Sequence, residues 1–196
     1  MKKVFRTIGF LYMLLYVFVS FGIANADSWN LDKLYSLDMF SSGSWDLSRY
    51  DKFQVSEGDY FLVDIDDALG YLINDDNKTY TVFPVMTGAL RTPTPEKEWV
   101  VKEKNIQPNR VIFGETGEFL RMYSNEGNTR TGYGIHNYGY FEEEIERGTK
   151  YLSLGCILVS ADVHDVIEES YLANGESMHM ITTNDVNLSS YIKLGL

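Results

Sequence analysis

The chain has 196 residues, of which 44% are hydrophobic, 14% aromatic and 23% charged. This globular composition excludes a disordered chain, a collagen-like repeat and a membrane protein with many spans. Because 28 acidic residues outnumber 17 basic ones, the formal net charge is −11, and the repulsion of a polyanion argues against nucleic acid as a partner.

Residues 1–26 have the pattern of an export signal. Three basic residues among the first six precede an apolar run over residues 8–23, and the small residues Ala24 and Ala26 follow. This order predicts a signal peptide that is cleaved after Ala26 and a location in the periplasm or cell wall. The apolar run approaches the roughly 20 residues that span a bilayer, so an uncleaved anchor is the alternative. Cleavage would leave 14 basic and 28 acidic residues, a charge of −14.

Residues 27–57 mix aromatic residues with Ser, Asp and Gly without sustained periodicity, and we interpret them as a lead-in to one domain over residues 58–196. Runs rich in β-branched and aromatic residues then predict short strands. The polar turn Asn74–Asn77 joins two of them into a hairpin. The predicted strands are Tyr60–Val63, Gly70–Ile73, Thr79–Val85, Glu98–Lys102, Glu118–Tyr123, Gly132–His136 and Met178–Thr182.

Two segments have helical patterns. The first is Tyr140–Arg147, whose adjacent glutamates, Glu142–Glu144 and Glu146, indicate a solvated face. The second begins at the N-cap Ser160 and ends near Gly175, and it has apolar residues at helical spacing. The predicted fold class is therefore mainly β with a few helices.

Cys156 is the only cysteine, which excludes an intrachain disulfide and a multi-cysteine zinc site. It lies in Tyr151–Val159, a strand-like run that ends where the Ser160 helix begins. One interpretation is a buried structural cysteine, because the thiol packs as a small hydrophobic group. The other is a nucleophile, which requires a nearby base to remove the thiol proton.

His136 is the candidate base. It lies in Gly132–Gly139, where glycines and tyrosines are typical of a strand that opens into an aromatic-walled cleft, although a packed or surface histidine is the alternative. His164 is expected to be exposed in the first turn of the second helix, and His179 lies in a predicted strand. No H-x-H or H-x-x-x-H spacing joins the three histidines, so we predict no metal site.

Several motifs in order carry a family resemblance. His136 is followed by a 16-residue spacer and then Ser153-Leu154-Gly155-Cys156-Ile157, and the blocks Phe83–Gly88 and Thr92-Pro93-Thr94 lie upstream. On these residues the chain resembles the L,D-transpeptidase (YkuD-like) catalytic domain, over roughly Gly58–Thr182. It departs from the family pattern at three positions, with Leu158 for the usual Arg, Asn137 for Gly or Ser, and Thr94-Pro95 where Gly is common.

The resemblance implies a β-rich domain that acts on peptidoglycan stem tetrapeptides, without a metal or organic cofactor. It implies that Cys156 attacks the carbonyl of the third residue and releases the terminal D-alanine, while the main-chain carbonyl of Asn137 orients His136. It also implies that the Gly155 and Cys156 amides, with Leu154, hold the oxyanion. Other roles follow for the Ser153 hydroxyl, which would shape the loop, and for the candidate cleft walls Tyr133, Tyr138 and Tyr140, for which core packing is the alternative.

The sequence leaves the outcome of acyl transfer open. An amine on a second stem or on a wall-anchored protein gives transpeptidation, and water gives L,D-carboxypeptidase activity. Two further functions stay open. One is a catalytically retired peptidoglycan-binding module, which Leu158 favours. The other is a β-rich adhesion or structural protein with an incidental thiol.

Overall fold

The computed structural model describes residues 53–74, 79–124, 126–187 and 191, all of which belong to one compact unit over residues 46–196. The predicted signal peptide, most of the predicted lead-in and residues 75–77 of the predicted turn lie outside these ranges. No helix in the described ranges combines the length and hydrophobicity needed to cross a membrane.

Strands dominate the described residues, and the prediction of a mainly β fold with a few helices is confirmed. The strands are β1 (Asp59–Asp64), β2 (Leu69–Asn74), β3 (Thr79–Pro84), β4 (Thr87–Gly88), β5 (Lys97–Ile106), β6 (Glu118–Ser124), β7 (Thr129–Asn137), β8 (Tyr151–Ser153), β9 (Ile157–Val159) and β10 (Met178–Thr183). The helices are α1 (Arg110–Phe113), α2 (Phe141–Glu146) and α3 (Ala161–Ala173).

Eight strands form a mixed sheet in the order β3-β2-β1-β10-β5-β6-β7-β9. The pairs β1/β10 and β7/β9 are parallel, and the other neighbours are antiparallel. The predicted hairpin is the pair β2/β3, with Leu69 opposite Pro84. The short strands β4 and β8 pair in parallel as a second sheet.

Helix α3 covers one face of the large sheet. Its residues Val163, Ile167 and Tyr171 pack in the main core with strand residues that include Trp99 and Ile135. The predicted N-cap is present, because the Ser160 hydroxyl accepts a hydrogen bond from the Val163 amide at 3.3 Å. Helix α3 therefore buries the face of the sheet that it covers.

The expectation that His164 is exposed was wrong, since only 2% of its surface is accessible. It follows Val163 and precedes Ile167 by three positions, so it lies on the side of α3 that faces the protein.

The run Tyr151–Val159, which has a strand-like pattern, is divided into β8 and β9 by the loop 154–156, which carries Cys156. Gly155 has a φ of +106°, a backbone conformation that ends the strand. The two halves then join different sheets, because β8 pairs with β4 and β9 pairs with β7. The cysteine is thereby on a loop between two sheets.

Candidate active site

The predicted cysteine and histidine line one cavity of about 820 Å³. The predicted residues Tyr133, Tyr138, Ser153 and Leu154 also line it, and Leu154 is 79% exposed at its rim. Tyr140 differs from the prediction, because it is 51% exposed and borders a separate cleft of about 350 Å³ together with Asn137.

His136 projects from β7 and is held on three sides. Its Nδ1 lies 2.7 Å from the main-chain oxygen of Asn137. Because a carbonyl oxygen only accepts hydrogen bonds, Nδ1 carries the hydrogen and Nε2 keeps the lone pair. The imidazole packs against Phe113 and Phe119, with ring centroids 4.6 and 5.6 Å away. The orientation of the ring is therefore set by the fold.

The Asn137 side chain anchors this end of β7. Its Nδ2 donates to the Val159 carbonyl on β9 at 3.1 Å. The same residue thus ties β7 to β9 through its side chain and holds the imidazole through its carbonyl.

One hydroxyl closes the loop that carries Cys156. The Ser153 Oγ donates to the Cys156 carbonyl at 2.6 Å and accepts from the Gly155 amide at 3.0 Å. The Gly155 amide is therefore already bonded, whereas the family resemblance implied that it is an oxyanion donor. A side chain at Gly155 would lie 2.4 Å from the Tyr133 ring, so this close approach requires glycine.

The Thr-Pro-Thr block, residues 92–94, forms hydrogen bonds with the segment that carries Cys156. Thr92 Oγ1 donates to the Ser153 carbonyl and Thr94 Oγ1 donates to the Gly155 carbonyl, both at 3.2 Å. Gly88 allows the block to come close, because a Cβ there would lie 2.2 Å from the Thr92 oxygen. These bonds tie the loop that carries Cys156 to the Thr-Pro-Thr block.

The register of β7 and β9 places the two candidate catalytic residues on the same face. His136 pairs with Leu158, and Cys156 precedes Leu158 by two positions. The side chains of Cys156 and His136, both within the described ranges, face the same cavity and form no hydrogen bond with each other. Leu158 itself is buried against Met86 and Phe141.

Burial sets the charge state of both groups. It lowers the pKa of His136 to about 4, against the smaller opposing effect of the Asn137 carbonyl. Burial also raises the pKa of the Cys156 thiol, against a backbone hydrogen bond from Gly134 and the charge of Arg121. At neutral pH the site therefore holds a neutral imidazole and a neutral thiol.

We expect the domain to lose stability as the pH falls from 6.5 to 4. Burial lowers the pKa of His136 and of His164 to about 4, so the unfolded chain binds more protons in this window. This contribution to stability is complete above pH 6.5 and is lost as the pH falls through 4. It is about 3 kcal/mol for each histidine.

The measurement is urea unfolding of wild type and His164→Gln between pH 7.5 and 4.5. The variant lacks one of the two buried imidazoles and should lose about half as much stability as wild type. An equal loss of stability in wild type and in His164→Gln would contradict the lowered pKa of His164.

A group outside the cavity resembles a metal site. Glu118, His164 and Glu168 each bring one ligand atom within 4.8 Å of the others. The ammonium of Lys104 forms ion pairs with both carboxylates, so a cation already lies between them. The sequence-based prediction of no metal site stays a prediction.

Several cavity residues were not foreseen from the sequence, among them Phe113, Phe119 and Arg121. Phe113 comes from helix α1, whose N-cap Asn109 and following Gly114 were its only sequence signals. Phe119 and Arg121 lie two apart in the predicted strand β6, and that spacing indicates a shared face.

A family model described as the L,D-transpeptidase catalytic domain, YkuD, matches residues 58–172. No curated protein matches the chain. The solved structures include Bd1075 from Bdellovibrio bacteriovorus, with 19% identity and a TM-score of 0.47; the match covers 68% of this chain and 52% of that one. An L,D-transpeptidase from Mycobacterium tuberculosis H37Rv is 20% identical, with a TM-score of 0.43 and coverages of 64% and 57%. An L,D-transpeptidase from Stackebrandtia nassauensis is 17% identical, with a TM-score of 0.46 and coverages of 74% and 63%. Each match spans less than two thirds of the other chain's length.

Proposed function

Because the chain belongs to the family of L,D-transpeptidase catalytic domains, we propose that it is an exported cysteine-dependent acyltransferase of peptidoglycan stem tetrapeptides. The observation that carries the proposal is that Cys156 and a buried, oriented His136 line one cavity. The pattern of the first 26 residues supports export to the periplasm or cell wall.

The first half-reaction forms a thioester. The Cys156 sulfur bonds to the carbonyl carbon of the third stem residue while Nε2 of His136 takes the thiol proton. The bond to the terminal D-alanine then breaks, and His136 returns the proton to the departing amine. Since the thiol and the imidazole begin neutral, the proton must move during the attack. The sulfur must therefore approach Nε2 to hydrogen-bond distance when the substrate is bound.

The second half-reaction releases the acyl group. An acceptor amine attacks the thioester carbonyl, His136 takes the amine proton, and the sulfur leaves and recovers its proton. Water in place of the amine gives hydrolysis. We assign the oxyanion contact in both steps to the Cys156 amide, because the Gly155 amide is bonded to Ser153.

The cavity suits a peptide substrate. It is lined mostly by apolar and aromatic side chains, with Ser153, Gln107 and Arg121 among the polar ones. Tyr133 and Tyr138 are the proposed aromatic walls, and Leu154 is the exposed rim.

We expect purified protein to convert a tetrapeptide-containing muropeptide into a product of changed mass. Loss of D-alanine alone indicates hydrolysis, and a joined product of two stems indicates transpeptidation. The measurement is mass spectrometry of the muropeptides with and without a second stem as acceptor. Retention of muropeptides at unchanged mass would overturn the proposed enzyme and favour a binding module. If the protein neither retains nor converts muropeptides, both the enzyme and the binding module are overturned.

A further inference from the structure

Arg121 is the one formally charged residue among the described residues that line the Cys156 cavity. It comes from β6 and is only 9% exposed. Its guanidinium lies over the Phe119 ring, 4.8 Å from the centroid. A buried cation on an otherwise uncharged wall is costly to maintain without a partner.

The described residues supply hydrogen-bond acceptors for only some of the N–H groups of this guanidinium. Nη1 donates to the Thr131 carbonyl at 2.7 Å, while Nε and Nη2 both donate to Asn105 Oδ1, at 3.3 and 3.2 Å. A guanidinium has five N–H groups. One N–H on each terminal nitrogen therefore has no acceptor among the described residues, and two N–H groups are the number that a bidentate carboxylate binds.

The neighbouring carboxylate does not fill that role. Glu103 Oε2 lies 3.7 Å from the Arg121 Nε, beyond hydrogen-bond distance. Glu103 is instead bonded to both Nε and Nη2 of Arg130, at 2.9 and 3.0 Å, and to the Tyr123 hydroxyl at 2.5 Å. Arg121 thus keeps a charge that its own fold leaves weakly paired.

The sheet places this charge close to the thiol. Arg121 pairs with Gly134 on β7, and the parallel register of Ile135 with Ile157 puts Gly134 beside Cys156. At the usual strand spacing the Cα atoms of Arg121 and Cys156 are roughly 10 Å apart. The Phe119 ring lies over Gly134, where a Cβ would be 2.3 Å from it, so the surface between the two residues is apolar. The guanidinium and the thiol therefore line the same cavity, and β7 is the one strand between β6 and β9.

We infer that Arg121 binds a carboxylate of the acyl-donor peptide and makes that carboxylate a requirement for reaction at Cys156. This inference rests on the proposed function. The carboxylate comes from one of two sources in the donor, either its C-terminal residue or an acidic side chain near the reacting carbonyl.

The test compares three donors: the free tetrapeptide, its C-terminal amide, and the peptide amidated at its side-chain carboxylate. Wild type should lose about 10- to 100-fold in kcat/KM when the recognised carboxylate is amidated, as expected for a charge-assisted hydrogen bond. Arg121→Gln should react with all three donors at similar rates. The donor whose amidation matters only in wild type identifies the source. Arg147→Gln is the control, because this arginine pairs with Glu144 on exposed α2 and should keep the wild-type preference.

Two further measurements keep the test decisive. Arg121→Lys keeps the charge and should keep part of the preference, and alkylation of Cys156 by neutral iodoacetamide reports whether the loop is intact in each variant.

Retention of the full wild-type preference by Arg121→Gln would overturn the inference. If wild type turns over no donor, the proposed function fails, and the equilibrium binding of the same peptides then tests Arg121 alone. Binding that is indifferent to amidation, or no binding of any donor, would overturn the inference in that case.

Discussion

Cys156→Ala is expected to reduce acyl transfer by a factor on the order of 10⁴ or more, because no thioester forms without the sulfur. The fold should persist. The side chain is only half-buried, on the edge of a small cluster, and the loop is held by Ser153, Thr92 and Thr94 through bonds that do not involve the thiol. We expect the free energy of unfolding to change by about 1 kcal/mol or less.

Intact-mass spectrometry provides the direct measurement. Wild type incubated with a tetrapeptide donor, or with a carbapenem as an acylating probe, should gain the mass of one acyl group. The alanine variant should gain none. Cys156→Ser replaces the thiol with a hydroxyl of similar size, and it should also be severely impaired because a hydroxyl is a weaker nucleophile. Turnover by Cys156→Ala at the wild-type rate would remove the proposed mechanism.

His136→Gln is expected to lower kcat/KM by roughly 10³- to 10⁴-fold, since general-base catalysis supplies rate factors of about this size. Glutamine keeps much of the volume between Phe113 and Phe119, so its effect is separable from the cavity that His136→Ala would create.

The pH profile identifies the group. In wild type, burial lowers the pKa of His136 to about 4, so the imidazole accepts a proton at any pH above that value. Activity should fall as the pH drops through about 4, and no change is expected near 6.5, where an ordinary imidazole titrates. Within the pH range in which both proteins stay folded, the residual activity of His136→Gln should lack this acid limb. An unchanged limb in the variant would show that a different group is being titrated.

Much of the fold follows from local pattern. The hairpin β2/β3 was predicted because β-rich runs flank a polar turn, and α3 because Ser160 precedes apolar residues at helical spacing. The exact point of division at Gly155 has little local signal, because the residues on either side of it are all compatible with a strand. What divides them is the pairing of β8 with β4 and of β9 with β7, which are contacts distant in sequence.

The site was less accessible to sequence reasoning than the fold. His136 and Cys156 were selected because one residue type supplies the base and the other the nucleophile, and the structure places both in one cavity. Arg121 was not selected, because an arginine within a strand is usually solvated and its burial depends on Asn105, Thr131 and Phe119 in the folded sheet. The burial of His164 had a local signal, its spacing of three from Ile167 and of seven from Tyr171.

The hydrogen bonds from Thr92 and Thr94 to the segment that carries Cys156 also bear on how the domain assembles. Thr92 and Thr94 each reach a partner 61 residues further along the chain. Such contacts carry the entropic cost of closing a long segment, so they form only when the intervening strands have already condensed. We therefore expect the loop that carries Cys156 to become ordered only after the strands between the bonded partners have paired.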